Sequence, residues 1–264
     1  MRLHLFAHCI IFFLGIFVMG IFPARAASTS DLAREKLWAD EIVDAVVVGN
    51  PVWLTADKVK FLSLYAKPSA PSRRGIILVH GRGVHPAWGF IENLRIDFSE
   101  MGWHTLSLQM PILRADAPLA AYGVTFPEAF DRIDSGIKYL KKHGVTHIIL
   151  IGHSTGALTV MDYLSGRPQT PLAGIVAIGT TSVNNGNAYM QPQLSVAKIH
   201  RPVLDIFGSE DVSEVVDFAP ARLRAAKAAG NNHYTQIRVQ GADHFFSDKY
   251  DDLKDDIARW LARN

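Results

Sequence analysis

The residues best able to do chemistry lie at positions 152–156, where the chain reads Gly-His-Ser-Thr-Gly. This G-x-S-x-G pattern is typical of a nucleophile elbow, a sharp turn between a strand and a helix that exposes a serine hydroxyl. A serine hydroxyl is a weak nucleophile at neutral pH, so it needs a neighbouring base and an open approach for the attacked carbonyl. Ser154 is therefore the candidate nucleophile.

The segments around Ser154 have the order that such a turn requires. Residues 147–151 form a β-branched run that predicts a buried strand, and residues 157–164 predict a helix. We expect Gly152 and Gly156 to give the turn freedom in φ and to leave room where strand and helix meet. The alternative is that the two glycines only mark a βα turn and that Ser154 caps the helix.

A base and an orienting acid are available after two later predicted strands. Asp211 and His244 follow those strands, and the chain order Ser154, Asp211, His244 is that of an α/β-hydrolase triad. We expect His244 to act as the base and Asp211 to hold its imidazole. Glu210 is a weaker alternative for the acid, while Asp205 lies inside a strand and is expected to point elsewhere.

A glycine-rich loop, residues 80–83, directly follows the strand predicted at 76–79. In this arrangement one oxyanion donor is the amide of the residue after the nucleophile, here Thr155, and the second comes from this loop. We assign the second donor to the Arg82 amide, with Gly83 as the next choice. The alternative is that the loop is only a tight turn.

Other residues leave the same strand ends and are candidates for the substrate pocket. These are Gly83, His85, Trp88, Met110 and Arg114. Arg82 or Arg114 either receives an anionic substrate group or is a solvated surface charge. His153 is expected to pack under the elbow rather than act in catalysis. Gly144 and the change from helix to strand separate His143 from His147, which disfavours a shared metal-binding face. We expect no metal site and no cofactor.

Strand and helix signals alternate along the chain after a β-rich start. Antiparallel strands are predicted at 42–48, 52–55 and 60–65, with a turn at 49–51, and buried strands at 76–79, 105–108, 147–151, 172–178, 203–207 and 234–239. Helices are predicted at 90–101, 126–140, 157–164, 223–229 and 250–260, the second with a capping box of Thr125 and Glu128. The pattern predicts an α/β fold: a mostly parallel sheet with helices on both faces, and active groups at the carboxyl ends of its strands.

The first 26 residues are typical of a secretory signal peptide. Arg2 supplies a basic start, residues 9–22 are almost wholly apolar, and Ala24-Arg25-Ala26 is an A-x-A cleavage signal. An uncleaved membrane anchor is the alternative, because residues 5–22 approach spanning length. We expect cleavage, no stable membrane span afterwards, and one domain over residues 27–264.

Removing this segment changes the composition of the chain. It takes away two arginines and no acid, so the formal charge falls from +2 to zero, which gives no support for a nucleic-acid partner. Cys9 is the only cysteine, so the mature chain is excluded from disulfides, cysteine catalysis and thiolate metal sites. These features fit an exported bacterial protein, periplasmic or secreted.

Over nearly all of its mature length the chain resembles an α/β-hydrolase. Residues 80–86, residues 106–111 and the elbow resemble more narrowly a family of exported bacterial α/β-hydrolase-like proteins of undetermined substrate. The resemblance implies an eight-stranded sheet and a serine hydrolase site. Thr155 departs from the larger apolar or amide residue that many superfamily members carry there, but its backbone amide should keep the oxyanion hole.

The connection between residues 178 and 203 is short and rich in Thr, Asn and Gly, which predicts a minimal lid. A deep interfacial lipase is therefore disfavoured. The sequence favours a carboxylesterase-like serine hydrolase that cleaves an ester, thioester or amide of a small-molecule acyl substrate through an acyl-enzyme on Ser154. The alternative is a non-catalytic binding or envelope-assembly protein that retains the fold. The sequence does not predict an oligomeric state.

Overall fold

The computed structural model describes residues 28–183, 186 and 189–264, so the predicted signal peptide at 1–26 lies outside the described residues. The strands are β1 (Asn50–Ala56), β2 (Val59–Ala66), β3 (Arg74–Val79), β4 (His104–Leu108), β5 (His147–His153), β6 (Gly174–Ile178), β7 (Val203–Gly208) and β8 (Tyr234–Val239). They form one eight-stranded sheet in the order β1-β2-β4-β3-β5-β6-β7-β8. Strands β1 and β2 are antiparallel to their neighbours and the others are parallel. The predicted mostly parallel sheet with antiparallel N-terminal strands is confirmed.

Helices cover both faces of the sheet, as predicted. They are α1 (Leu32–Ile42), α2 (Gly89–Glu100), α3 (Phe126–Lys142), α4 (Thr155–Gly166), α5 (Pro192–Val196), α6 (Ser213–Val216), α7 (Ala219–Ala228) and α8 (Tyr250–Leu261). Side chains alternate along each central strand, so Ile76 and Leu78 pack toward α2 and α8, whereas Ile77 and Val79 pack toward α3 and α4. Two apolar layers therefore hold the sheet rigid from both sides.

The N-terminal prediction is wrong in two places. The strand predicted at 42–48 is absent, because Ile42 ends α1 and residues 43–45 form a 3-10 turn. The turn predicted at 49–51 is also wrong, since Asn50 already begins β1. The hairpin turn is instead made by Asp57 and Lys58, whose φ angles of 43° and 70° are the left-handed pair of a tight two-residue hairpin.

Helix α1 docks on the N-terminal half of the sheet. Its apolar face covers Leu62 and Leu64 of β2. Its buried Glu35 carboxylate accepts from Arg132 of α3, and Nη2 to Oε1 is 2.9 Å. Burial raises the pKa of Glu35 in spite of this arginine. The ion pair therefore joins α1 to α3 across the edge of the sheet.

The predicted capping box at the start of α3 is wrong. Thr125 donates its hydroxyl to the Tyr122 carbonyl at 2.8 Å and does not cap the helix with its side chain. The Glu128 carboxylate instead accepts from the hydroxyl of Thr29 at 2.8 Å and from Arg132 at 2.6 Å. Glu128 therefore ties the segment before α1 to α3.

The connection from β6 to β7 carries no large lid in its described part, where α5 with five residues is the one helix. Across residues 28–183, 186 and 189–264, no helix is both long and apolar enough to span a bilayer. The carboxyl ends of β3, β5, β7 and β8 all meet at one edge of the sheet, because these strands are parallel. The loops that follow them are thus brought together.

Candidate active site

Ser154 lies on a strained turn between β5 and α4. Its backbone has φ 56° and ψ −116°, a region that a residue with a side chain rarely adopts. The turn is held by the Ser154 amide, which donates to the Ile178 carbonyl of β6 at 2.9 Å. Such strain costs about 1–3 kcal/mol and is characteristic of functional turns. The predicted strand, turn and helix around the serine are therefore present.

The two glycines of the motif are needed for space. A side-chain carbon at Gly156 would lie 2.2 Å from the Val79 carbonyl oxygen, and one at Gly152 would lie 2.3 Å from the Gly156 carbonyl oxygen. Both contacts are with backbone, which cannot move aside. The expectation that these glycines also supply freedom in φ is wrong, because the left-handed residue of the turn is Ser154 itself.

Three side chains from separate loops meet in one hydrogen-bonded line. The His244 Nδ1 atom is 2.6 Å from Asp211 Oδ1, and its Nε2 atom is 3.1 Å from Ser154 Oγ. A carboxylate can only accept, so Nδ1 carries the proton and Nε2 is left to accept from the serine hydroxyl. The Asp211 carboxylate also accepts from the Val212 amide at 2.8 Å, which fixes its orientation.

The two rival acids lie elsewhere. Glu210 is exposed, and its backbone amide donates to the Ala242 carbonyl at 2.9 Å. Asp205 is fully buried and accepts from Arg222 Nε at 2.9 Å. Asp211 is the acid that reaches the imidazole.

Gly179, which is not among the predicted site residues, lies directly against this line. A side-chain carbon there would be 3.2 Å from the His244 ring and 3.3 Å from Asp211 Oδ2. Its φ of +55° also favours glycine. A Gly immediately after a buried strand is the signal that could have identified it.

The loop after β3 lies beside the serine and is fixed by His80. A side-chain carbon at Gly81 would be 3.3 Å from Ser154 Cβ. The buried His80 ring donates from Nδ1 to the Gly81 carbonyl at 2.8 Å and accepts the Met110 amide at Nε2, at 2.9 Å. Burial lowers the pKa of His80 to about 3, so the ring stays neutral and both bonds persist. His80 thus links the loops after β3 and β4.

Two backbone amides near this loop are available as donors. The Thr155 amide begins the first turn of α4, where amides have no partner inside the helix. Among the described residues, neither this amide nor that of Arg82 donates to another group of the chain. Arg82, Met110 and Thr155 also line a cavity of about 10 Å³, roughly the space of one water molecule.

His153 packs beneath the site. Its Nε2 atom donates to the His244 carbonyl at 3.0 Å, and its ring lies 4.7 Å from that of His244. Burial lowers the pKa of His153 to about 3. It therefore stays neutral and holds the loop that carries His244.

The remaining predicted pocket residues divide into two groups. Trp88 stacks on His153 with ring centroids 6.4 Å apart, and Met110 is buried beside the loop after β3. His85 instead packs edge-on against Trp38, with centroids 5.5 Å apart. Arg114 pairs with an aspartate on the surface and has an 80% exposed side chain. No described contact brings either of these two to Ser154.

Gly83 has φ +68°, and its carbonyl accepts from Arg34 of α1 at 3.3 Å. The Arg82 side chain is exposed and donates to the Ala117 carbonyl at 3.3 Å. In the part of the chain that the structure describes, no group of three His, Cys, Asp or Glu side chains is placed to hold a metal ion.

Comparisons with known proteins give the fold and the family. The sequence profile of a family described as "Protein of unknown function (DUF3530)" matches residues 23–129 and 126–263. No curated protein sequence matches the chain. The matched ranges extend over nearly all of the chain after the predicted signal peptide.

Solved structures of α/β-hydrolases superpose on the sheet and its helices. Est1E from Butyrivibrio proteoclasticus aligns with TM-score 0.65 at 16% identity, covering 81% of this chain and 98% of that one. The esterase Pf2001 of Pyrococcus furiosus aligns with TM-score 0.66 at 16% identity, covering 82% of this chain and 95% of that one. At this identity the likeness establishes the α/β-hydrolase fold, which confirms the predicted fold class.

Proposed function

The chain belongs to the family of unknown function DUF3530, and we propose that it is a carboxylesterase-like serine hydrolase. Its substrate is an ester, thioester or amide of a compact acyl group, cleaved through an acyl-enzyme on Ser154. The observation that carries the proposal is the line from Ser154 Oγ to His244 Nε2, at 3.1 Å, and from His244 Nδ1 to Asp211, at 2.6 Å.

The first half of the reaction forms the acyl-enzyme. His244 Nε2 takes the Ser154 proton as Oγ attacks the acyl carbon, and Asp211 stabilises the imidazolium that results. The carbonyl oxygen becomes an oxyanion, which the amides of Thr155 and Arg82 are proposed to bind. His244 then gives its proton to the departing oxygen, sulfur or nitrogen as the bond to the acyl carbon breaks.

The second half repeats these roles with water. His244 removes a proton from a water molecule that attacks the acyl-enzyme, and the serine oxygen recovers the proton when the acid leaves. Each oxyanion donor is expected to contribute about 10²–10³-fold to the rate, because it binds charge that develops only in the transition state.

The lack of a large helical lid in the described residues supports a compact acyl group. Between β6 and β7 the one described helix is α5, whose five residues offer little apolar cover for a long acyl chain. A series of p-nitrophenyl esters of increasing acyl length tests this. We expect the highest kcat/KM for the short acyl groups and none above background for Ser154→Ala; equal turnover by wild type and this variant would contradict the proposal.

A non-catalytic binding protein of the same fold is the alternative. The strained Ser154, with φ 56°, favours catalysis over this alternative, since strained backbone clusters at active sites. We also propose that the protein is exported after residues 1–26 are removed. Residues 27–264 then form one mature domain. N-terminal sequencing of the protein isolated from cells should give Ala27 as the first residue.

A further inference from the structure

An apolar rim lies beside His244 on the surface of the molecule. Phe245 directly follows the histidine and has 49% of its surface exposed. Its ring packs edge-on against the partly buried Trp88, with centroids 5.4 Å apart at 69°, and lies 5.2 Å from the His244 ring. We call Trp88 and Phe245 the aromatic platform. Exposed apolar surface that is contiguous, rather than scattered over single residues, is typical of a binding surface.

The loop that carries Phe245 is held rigidly. The Asp243 carboxylate accepts from the Phe245 amide at 3.0 Å and from the Ser247 amide at 3.0 Å. The next residue, Phe246, is 1% exposed and anchors the loop in the core with φ 52°. Phe245 is therefore kept at the surface by its neighbours, although burial of its ring would be favourable.

Proton transfer decides which part of a substrate the platform can touch. His244 Nε2 must give its proton to the leaving atom, so that atom must come within about 2.6–3.2 Å of Nε2. Because the His244 ring lies 5.2 Å from the Phe245 ring, a ring one carbon beyond the leaving atom is expected to come within pairing distance of the platform, roughly 4.5–7 Å. The oxyanion is assigned to different groups, the amides of Arg82 and Thr155 proposed above.

Charge narrows the chemistry of the ligand. Among the described residues, no lysine or arginine side chain lies over the ring of Trp88 or Phe245. No such cation is therefore in place over these two rings to pair with an anionic leaving group. The platform is thus suited to a neutral, flat, apolar group.

We propose that Trp88 and Phe245 bind the leaving group of the substrate, and that this group is an aromatic alcohol, thiol or amine attached to a short acyl chain. The inference rests on the proposed serine hydrolase function and adds the substrate class. It assigns the platform to leaving-group specificity, separate from the acyl side of the site.

Three esters test the leaving-group side and the acyl side of the site separately: ethyl acetate, benzyl acetate and ethyl phenylacetate. The first two share an acyl group and differ by a ring on the alcohol, whereas the third carries the ring on the acid. We expect Phe245→Ala and Trp88→Ala to lower the ratio of kcat/KM for benzyl acetate over ethyl acetate about fivefold to tenfold. Phe245→Tyr keeps the ring and should keep the ratio.

Phe218→Ala is the matched control, because Phe218 is also an exposed phenylalanine, at 36%, and makes no ring contact with the platform. The ratio should not change in this variant. An equal loss for benzyl and ethyl acetate, or a selective loss for ethyl phenylacetate, would overturn the inference. If the wild type hydrolyses none of the three esters and does not react with a fluorophosphonate, the proposed function itself is refuted.

Discussion

Three histidines surround Ser154, and burial divides their roles. His80 and His153 are 2% exposed, and desolvation lowers the pKa of each to about 3, so both stay neutral and act only through hydrogen bonds. The His244 side chain is 13% exposed and has Asp211 on its far nitrogen. His244 is therefore the one of the three that we propose exchanges a proton with Ser154 during the reaction.

Replacement of the acid tests this division. Asp211→Asn is expected to lower kcat about 10⁴-fold, because an amide can no longer fix the imidazole tautomer or stabilise its cation. Glu210→Gln is the matched control and should change kcat less than twofold. Steady-state kinetics with a short-chain p-nitrophenyl ester measures both. A larger effect of Glu210→Gln than of Asp211→Asn would mean that Glu210, and not Asp211, is the acid.

At the scale of elements, the site depends on how closely α4 meets the end of β3. Gly156→Ala would press a methyl group against the carbonyl oxygens of Val79 and His80, which lie 2.2 and 2.6 Å from its position. We expect a loss of about 1–3 kcal/mol in the free energy of unfolding and a fall in activity, since the elbow must shift.

Gly166→Ala at the other end of α4 is the control. A side-chain carbon there meets nothing within 4 Å, and its φ is not left-handed. Its stability should stay the same or rise by about 0.4–1 kcal/mol. Urea unfolding of the two variants compares them, and similar losses in both would show that α4 does not need this close approach.

Helix α1 braces the loops that carry the proposed oxyanion donor. Its Arg34 guanidinium donates to the Leu113 carbonyl at 3.0 Å and to the Gly83 carbonyl at 3.3 Å. It also lies 4.5 Å over the Trp38 ring, and that ring packs on His85. One side chain of α1 thus spans the loops after β3 and β4.

Arg34→Met should therefore reduce kcat about tenfold and leave KM within about twofold, because the oxyanion donor is misplaced while the substrate still binds. Lys36→Met removes an exposed cation of the same helix, whose side chain is 72% exposed, and should have no effect on kcat. Thermal melts of both variants report on folding. A fall in Tm with kcat unchanged would give Arg34 a purely structural role.

At the scale of the whole molecule, the sheet could be predicted because its central strands are short apolar runs closed by loops. The runs that became β3, β5 and β7 each end in a polar or glycine-rich loop, and the parallel topology brings those loops to one edge. For this reason Ser154, Asp211 and His244 could be named from order and type alone. Their meeting follows from topology more than from local propensity.

The missed features depend on distant partners. Residues 42–48 contain several valines and suggest a strand, yet α1 packs its apolar face on Leu62 and Leu64 and extends to Ile42. The local signal was present at Asp31, which caps α1 by accepting from the Arg34 amide at 3.1 Å. The sequence pattern predicts that Glu128 belongs to a capping box, but its carboxylate instead accepts long-range hydrogen bonds from Thr29 and Arg132.

Asp162 of α4 makes the stability of the whole molecule depend on pH. Burial raises the pKa of its carboxyl from 3.8 to about 8, with Ser195 of α5 as a hydrogen-bond partner. Between about pH 4 and 8 the folded protein keeps a proton that the unfolded chain has lost, so stability falls as pH rises through that window. Below about pH 4 Asp162 is protonated in both the folded and the unfolded protein, and this penalty to stability disappears.

Asp162→Asn removes this penalty. At pH 8 we expect its Tm to exceed that of the wild type by about 3–6 °C, the shift for roughly 1–2 kcal/mol in a chain of this size, and to converge with it near pH 4. Calorimetry across this range measures the difference between the two proteins. A constant offset at every pH would mean that Asp162 is ionised in the folded state.

Ser154 is proposed to be a nucleophile activated by His244. The most direct measurement is the site of covalent modification by a fluorophosphonate, read by intact mass and peptide mapping of the folded protein. We expect one adduct per chain, on Ser154, absent in Ser154→Ala and strongly slowed in His244→Ala. No adduct on the folded wild type, or an adduct that persists in Ser154→Ala, would rule out Ser154 as the nucleophile.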